Sequence, residues 1–460
     1  MRDDPLDLLP ELFLLGGAVL GLLALTVSPR GGARWVVWLC ALGLAGCLVS
    51  AVVAVFSPGG TVFGSYVLDP PTNVVRGVAA LATLPCLVLA GAGGLRPEAH
   101  VLMSLTALGT VTLAGAGDLL VLVAAYLLAS VPGYALAGLS RDASGTEAAL
   151  KYYLVGAFLG VLTLTGVTLL YGLAGTSAYP GLGGELRAVP QAAVVCALVA
   201  LFAGVMFKAG AVPGHFWVPD VAEGAPAAVA AFVTTVPKLG AFAALLRMAE
   251  EFLPSSATPS AADWRLLLAV VSVATMTLGN LAAFRQTNVR RLLAYSTISQ
   301  AGYLLLPVVA VPAPLARPAL LFYLGAYAVT NLGAFAVVVA TGRDTLDGYT
   351  GLSGRSPALA CALAVCLLGF AGTPPTAVFL GKVMAFTAVW QGGYAWLAVV
   401  AALNTVVSLF YYLRWIVPVF RPAPGGAVPV RSAALTAYAA ATASLVLGVA
   451  GGVVLPPGGP

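Results

Sequence analysis

Uncharged, mostly apolar runs recur along the whole chain, at 35–56, 319–342 and 433–455 among others. Each reaches the roughly 20 residues a helix needs to cross the hydrocarbon core of a bilayer. Outer-membrane barrel strands would instead show alternating segments of about 10 residues. The chain therefore reads as an all-α integral membrane protein. Composition agrees: 60% of the 460 residues are hydrophobic and 8% are charged, where soluble domains carry about 25% charge to face water. Soluble enzymes, nucleic-acid binders and disordered scaffolds are excluded on that ground. The start, MRDDPLDLLPE, is acidic where a signal peptide would be basic, so the first span is expected to stay in the mature chain. The six cysteines (Cys40, Cys47, Cys86, Cys196, Cys361, Cys366) all sit in apolar runs without a cluster spacing, which argues for packing and against metal or iron–sulfur ligation.

Fourteen helices are predicted, near 8–27, 35–56, 73–95, 99–116, 118–139, 149–172, 191–212, 225–249, 264–284, 292–311, 316–341, 357–390, 395–420 and 433–456. The connections are too short for a separate soluble domain. The side of the loops after odd-numbered helices, counting arginines near the helix ends, holds Arg30, Arg34, Arg96, Arg141, Arg285, Arg290, Arg291, Arg343, Arg355, Arg414, Arg421 and Arg431. The opposite side holds Arg2, Arg76, Arg187, Arg247, Arg265 and Arg317. The positive-inside rule then puts the odd-helix loops in the cytoplasm and both termini outside. The net charge of +5 is mostly this topological signal.

The four lysines break the pattern. Lys151, Lys208, Lys238 and Lys382 all fall inside predicted spans, whereas the arginines lie in loops or near helix ends. A lysine at a helix centre costs about 2.5–3.5 kcal/mol on insertion scales. Three deep ones would cost on the order of 8–10 kcal/mol, comparable with the net stability of a whole domain. Such a penalty persists where the residue has a function. Arginine stays charged at any working pH, while a desolvated lysine amine can take up and release a proton. Lysines inside and arginines outside suit proton transfer. Snorkelling to the interface competes with that reading for Lys151 and fits Lys208 and Lys238 poorly.

Two of the predicted helices carry breaks. Pro213, Gly214 and Pro219 follow Lys208, and Gly372, Pro374 and Pro375 precede Lys382. Proline removes a backbone donor, and membranes tolerate the freed carbonyls only where protein or water satisfies them. Interrupted helices in matching places of two halves point to an ion pathway in an inverted-repeat transporter, here helices four to eight and nine to thirteen. Hydroxyls and amides that could carry a water file lie nearby: Thr234 and Thr235 before Lys238, then Tyr295, Ser296, Thr297, Ser299, Gln300 and Tyr303 on the tenth helix, with Asn280, Asn331 and Asn404. Each alone serves helix packing more often than conduction. The GxxxG runs Gly17–Gly21 and Gly156–Gly160 are packing signals.

These residues resemble the antiporter-like membrane subunits of respiratory complex I, the N type most of all. The matching stretches are EAALKYYLVGAF at 147–158, FKAGAVPGHFWVPDVAEGAP at 207–226 and PKLGAFAALLR at 237–247. Others are GNLAAF at 279–284, RRLLAYSTISQAGYLL at 290–305 and GTPPTAVFLGKVMAF at 372–386. The resemblance implies a fourteen-helix fold, with N-terminal helices over 1–98, inverted repeats over 99–250 and 264–420, a C-terminal helix in 433–460, and discontinuous helices seven and twelve. It implies proton translocation coupled to NADH oxidation by quinone, in a bacterial inner membrane, beside M-type and K-type neighbours. No cofactor is implied for this chain; NADH, flavin, iron–sulfur clusters and quinone belong to partner subunits. By motif, Lys208 resembles the seventh-helix lysine, Lys238 the connecting lysine and Lys382 the terminal lysine, with Lys151 and His215 as further relay candidates and Glu147 and Asp220 as supporting acids.

Two features depart from that pattern. The family's fifth-helix glutamate is missing: the region reads LVLVAAYLLASVPGYALAG, with Tyr126 or Leu127 in its place. Gln300, which cannot titrate, stands where a tenth-helix histidine is common. The relay then works with fewer titrating sites, Glu147 stands in for the lost acid, or the chain is a divergent, non-pumping paralogue. A subunit of a cation/proton antiporter or of a membrane hydrogenase shares the same lysine scaffold and is the other reading.

Overall fold

The structure is a computed structural model, and it describes residues 5–28, 32–57, 59–140, 142–187, 189–251, 259–423 and 429–454. Side chains of 259–263 and 452–454 lie outside that description, as do Arg2, Arg30 and Arg141 of the orientation count. Nineteen α-helices follow one another among the described residues. They are α1 (Leu9–Val27), α2 (Gly32–Ala54), α3 (Pro70–Ala92), α4 (Glu98–Gly115), α5 (Leu119–Ala137), α6 (Ala143–Ala174), α7 (Tyr179–Glu185), α8 (Gln191–Ala209), α9 (Trp217–Gly224) and α10 (Ala227–Val233). Then come α11 (Val236–Glu251), α12 (Pro259–Ala283), α13 (Val289–Ala310), α14 (Ala316–Thr341), α15 (Leu352–Arg355), α16 (Pro357–Ala371), α17 (Ala377–Gln391), α18 (Ala395–Val419) and α19 (Arg431–Val454). One hairpin, β1 (Gly60–Val62) with β2 (Tyr66–Leu68), interrupts the series.

Twelve helical spans among the described residues are long and apolar enough to cross a membrane. α4 and the pair α16–α17 occupy the two remaining predicted positions. The polar and small-residue helices α10, α11, α13 and α14 fill the centre, while α1, α2, α6 and α19 turn apolar faces outward. That sorting is what lipid imposes: the exterior is as apolar as the solvent around it, so the polar residues collect inside. The glycine signals work as close contacts. A methyl on Gly17 would press on Leu39 O of α2 at 2.9 Å, and Gly156 and Gly160 of α6 make room for the rings of Tyr134 and Tyr126.

Both expected breaks are present. α8 ends at a left-handed Gly210 (φ 69°) and α9 begins at Trp217; α16 ends at a left-handed Gly372 (φ 77°) and α17 begins at Ala377. A third break was not foreseen. The segment predicted as one helix over 225–249 divides at Thr234–Thr235 into α10 and α11. Pro237 has no N–H to offer residue 233, and the two threonine hydroxyls bond the carbonyls of Ala230 and Ala231 instead, each at 2.7 Å.

The orientation count needs correcting at two positions. Arg76 is fully buried inside α3, where it forms a two-pronged pair with Glu11 (2.7 and 2.8 Å) that Tyr66 Oη joins at 2.6 Å. Arg247 is 5% exposed and holds Asp69 through two bonds of 2.9 and 3.0 Å, with Ala114 O as a further acceptor. Both arginines tie helices together at one end of the bundle. Their number in a loop tally says little about charge facing water.

Candidate functional site

Burial is the first discriminator among the lysines. Lys208, Lys238 and Lys382 are each 2% exposed. Lys151, by contrast, has a side chain 46% exposed, and pairs with Glu147 (2.7 Å) and Asp220 (3.0 Å). Its expected place in the interior is corrected accordingly: from the ninth residue of α6, the side chain reaches the end of the bundle. Glu147 and Asp220 belong to that same surface network. Asp220 also bonds Arg291 (2.9 Å), which reaches Glu223 (2.8 Å), so α6, α9 and α13 are tied together there. Glu147 therefore serves Lys151 and not Lys208.

The three buried ammonium groups share one pattern. Each donates to a single backbone carbonyl, faces tyrosine rings, and has no described carboxylate within ion-pairing distance. Lys208 Nζ bonds Ala129 O at 3.0 Å and lies 5.7, 5.8 and 5.9 Å from the ring centres of Tyr126, Tyr134 and Tyr152. Tyr126 faces the lysine, whereas Leu127 is 45% exposed. Gly160 and Gly204 flank the Tyr126 ring, where a methyl from either would lie 3.2 Å away.

Lys238 Nζ bonds Thr297 O at 2.8 Å and sits 4.9 Å from the Tyr327 ring centre. It also lies against Gly210, whose missing methyl would be 3.9 Å from the ammonium, so the end of α8 that carries Lys208 abuts Lys238. The negative pole of a helix C-terminus suits a cation at that place. Tyr327 Oη donates to Thr234 O at 2.7 Å, and Asn331 Nδ2 donates to the hydroxyls of Thr234 (3.0 Å) and Thr235 (2.8 Å). Asn331 Oδ1 is buried without a partner.

Lys382 Nζ bonds Phe370 O at 2.8 Å and lies 4.2 Å from the Tyr303 ring centre, with Thr405 Oγ1 at 3.5 Å. Local chemistry explains the acceptor. Phe370 is the penultimate residue of α16, and four residues on stands Pro374, which has no N–H to give its carbonyl. Gln300 Nε2 reaches the same oxygen at 3.1 Å, and Tyr323 Oη donates to Gln300 Oε1 at 2.6 Å.

α13 joins the second and third lysines. Thr297 faces Lys238, while Gln300 and Tyr303, one and two turns further on, face the surroundings of Lys382. Ser296 pairs with Tyr412 Oη at 2.6 Å, and Ser299 donates to Asn280 Oδ1 at 2.8 Å; Asn280 in turn bonds Asn404. His215 lies in the break between α8 and α9, 5% exposed, against Phe216, with Nδ1 unpartnered. Tyr126 stands out in the sequence at the place of the missing glutamate and Tyr303 among the polar residues of the tenth helix, but Tyr134, Tyr152 and Tyr327 carry no spacing signal that marks them as lysine neighbours.

Residues 116–408 match the family described as NADH:quinone oxidoreductase/Mrp antiporter, transmembrane. NADH-quinone oxidoreductase subunit N 1 of Streptomyces griseus is 52% identical, over 99% of this chain and 98% of that protein. A chain of respiratory complex I from Thermus thermophilus superposes with a TM-score of 0.82 at 34% identity, covering 97% of this chain and 98% of its own length. A chain of the Mrp complex from Dietzia sp. gives a TM-score of 0.85 at 24% identity over 98% and 96% of the two lengths, a likeness of fold alone. The chain belongs to the NADH:quinone oxidoreductase/Mrp antiporter transmembrane family, among its NADH-quinone oxidoreductase N subunits.

Proposed function

We propose that this membrane subunit of a complex I-type, proton-pumping NADH:quinone oxidoreductase carries protons through Lys208, Lys238 and Lys382. The observation behind this reading is the shared environment of the three ammonium groups: buried, each donating to one backbone carbonyl, and unpaired with any described carboxylate, with the end of α8 abutting Lys238 and the polar face of α13 running between Lys238 and Lys382. An ammonium with three protons and one fixed carbonyl acceptor keeps N–H bonds to offer a water file. Like charges repel strongly where water is scarce, so a proton arriving at one lysine favours its departure from the next. Thr297, Gln300, Ser296 and the Thr234–Thr235–Asn331 cluster supply the polar lining between them. Lys151, Glu147 and Asp220 lie at the bundle end, with the cytoplasmic loops of the arginine count, so both termini face outward in this reading. Helices α4–α11 and α12–α18 form the inverted repeats, and NADH, flavin, iron–sulfur clusters and quinone are held by partner subunits.

The cation/proton antiporter reading rests on a fold likeness, whereas the N-type relationship spans nearly the whole chain at 52% identity. The test is proton pumping by the intact complex in sealed vesicles. Lys208→Ala and Lys382→Ala are expected to lower the protons moved per electron pair while the complex still assembles and reduces quinone. Unchanged stoichiometry in both variants would leave the chain a spacer.

A further inference from the structure

The fold positions a tyrosine ring where a relay of charged pairs would need an acid, and it does so three times. At Lys382 and Lys238 the rings are close, 4.2 and 4.9 Å from the ammonium nitrogen to the ring centre. Both rings are anchored by their own hydroxyls: Tyr303 Oη accepts from Thr405 Oγ1 at 3.1 Å, and Tyr327 Oη donates to Thr234 O at 2.7 Å. At Lys208 three rings share the task at 5.7–5.9 Å, near the outer limit of a useful contact. The glycines that admit these rings are part of the same arrangement, since a methyl at Gly160 would crowd Tyr126.

We propose that the ring faces of Tyr303 and Tyr327 are the positioning groups for Lys382 and Lys238, taking the part a buried carboxylate would otherwise play. The proposal rests on the relay reading above. A ring face attracts an ammonium without bringing a second buried charge that must itself be desolvated. It also attracts more weakly than a carboxylate at the same distance, so it holds the side chain in line without trapping the proton. The hydroxyl fixes the ring; the π face meets the lysine.

The experiment uses the intact complex in sealed vesicles and compares Tyr303→Phe, Tyr303→Leu, Lys382→Ala and the double variant Tyr303→Leu/Lys382→Ala. The readout is protons translocated per electron pair at matched quinone-reduction rate. Phe keeps the π face and loses only the anchoring contact with Thr405, so it is expected to retain most of the parent's translocation and to exceed Leu clearly. Leu removes it and is expected to lower translocation about twofold to tenfold, the range of a partly desolvated cation–π contact. In the Lys382→Ala background Tyr303→Leu is expected to add nothing, because its effect passes through the ammonium. Parent-like pumping by Tyr303→Leu, a loss in Tyr303→Phe equal to that in Leu, or an additive double variant would each overturn the proposal. If the Leu chain fails to assemble, Tyr303→Met tests the same loss of a ring, and the Phe result decides on its own whether hydroxyl or ring matters. Parent-like pumping by Lys382→Ala would overturn the relay and the proposal together; impaired Lys382→Ala beside parent-like Tyr303→Leu overturns the proposal alone.

Discussion

Gln300 and Lys382 share one acceptor: Gln300 Nε2 lies 3.1 Å and Lys382 Nζ 2.8 Å from Phe370 O. The carbonyl is free for both because α16 stops at Ala371 and Pro374 cannot donate back to it. Gln300 is thus a fixed spacer that holds a helix end and the Tyr323 hydroxyl in register. Gln300→Leu leaves Tyr323 Oη unpaired in the interior and should destabilise the subunit by about 1–3 kcal/mol. Thermal unfolding of the purified complex checks the stability. The proton-to-electron ratio of the surviving complex should fall less than with Lys382→Ala.

Gly372 makes the second break possible. Its φ of 77° is one that other residues adopt at a cost, and an added methyl would meet Lys382 Cδ at 3.0 Å. Gly372→Ala should cost about 1–3 kcal/mol in backbone strain and displace the lysine as well. Melting temperature and proton pumping should fall together, whereas Gly342→Ala, also left-handed but with open space around it, should lower only the former.

Asp69 and Arg247 bind the start of α3 to the end of α11. Burial works to raise the Asp69 carboxyl, but hydrogen bonds and charge from Arg247 outweigh it and hold the carboxyl below its ordinary value. A group held low in the folded state stabilises it above the unfolded pKa near 3.9. That contribution is lost as pH falls through the folded value. Acid unfolding of the complex should therefore begin at higher pH in Asp69→Asn than in the parent. Arg247→Ala, which strands a partly buried carboxylate, should cost about 3 kcal/mol at neutral pH.

Much of this was legible in the chain because lipid simplifies the code. Run length marks the spans, and a lysine in an apolar run has few innocent explanations, so Lys208, Lys238 and Lys382 stood out. Lys151 looks alike in sequence but is the ninth residue of α6, near enough to the bundle end for its stem to reach Glu147 and Asp220. The break at Thr234–Thr235 was hidden because threonine hydroxyls bond helix carbonyls within a span and leave the apolar run intact. Arg76 reads as a charge near a helix end because its partner Glu11 is 65 residues away. The tyrosine neighbours were hidden for the same reason: Tyr327 meets Lys238 across helices, and no local spacing records that contact.

The central claim is that the interior lysines conduct and the exposed one does not. The direct measurement is protons moved per electron pair in vesicles carrying the intact complex with Lys238→Met or with Lys151→Met. Lys238→Met should lower the ratio at undiminished assembly, because it removes the middle ammonium between α8 and α13, while Lys151→Met should leave the ratio at the parent value. A parent-like ratio for Lys238→Met, or an equal fall in both variants, would contradict the account.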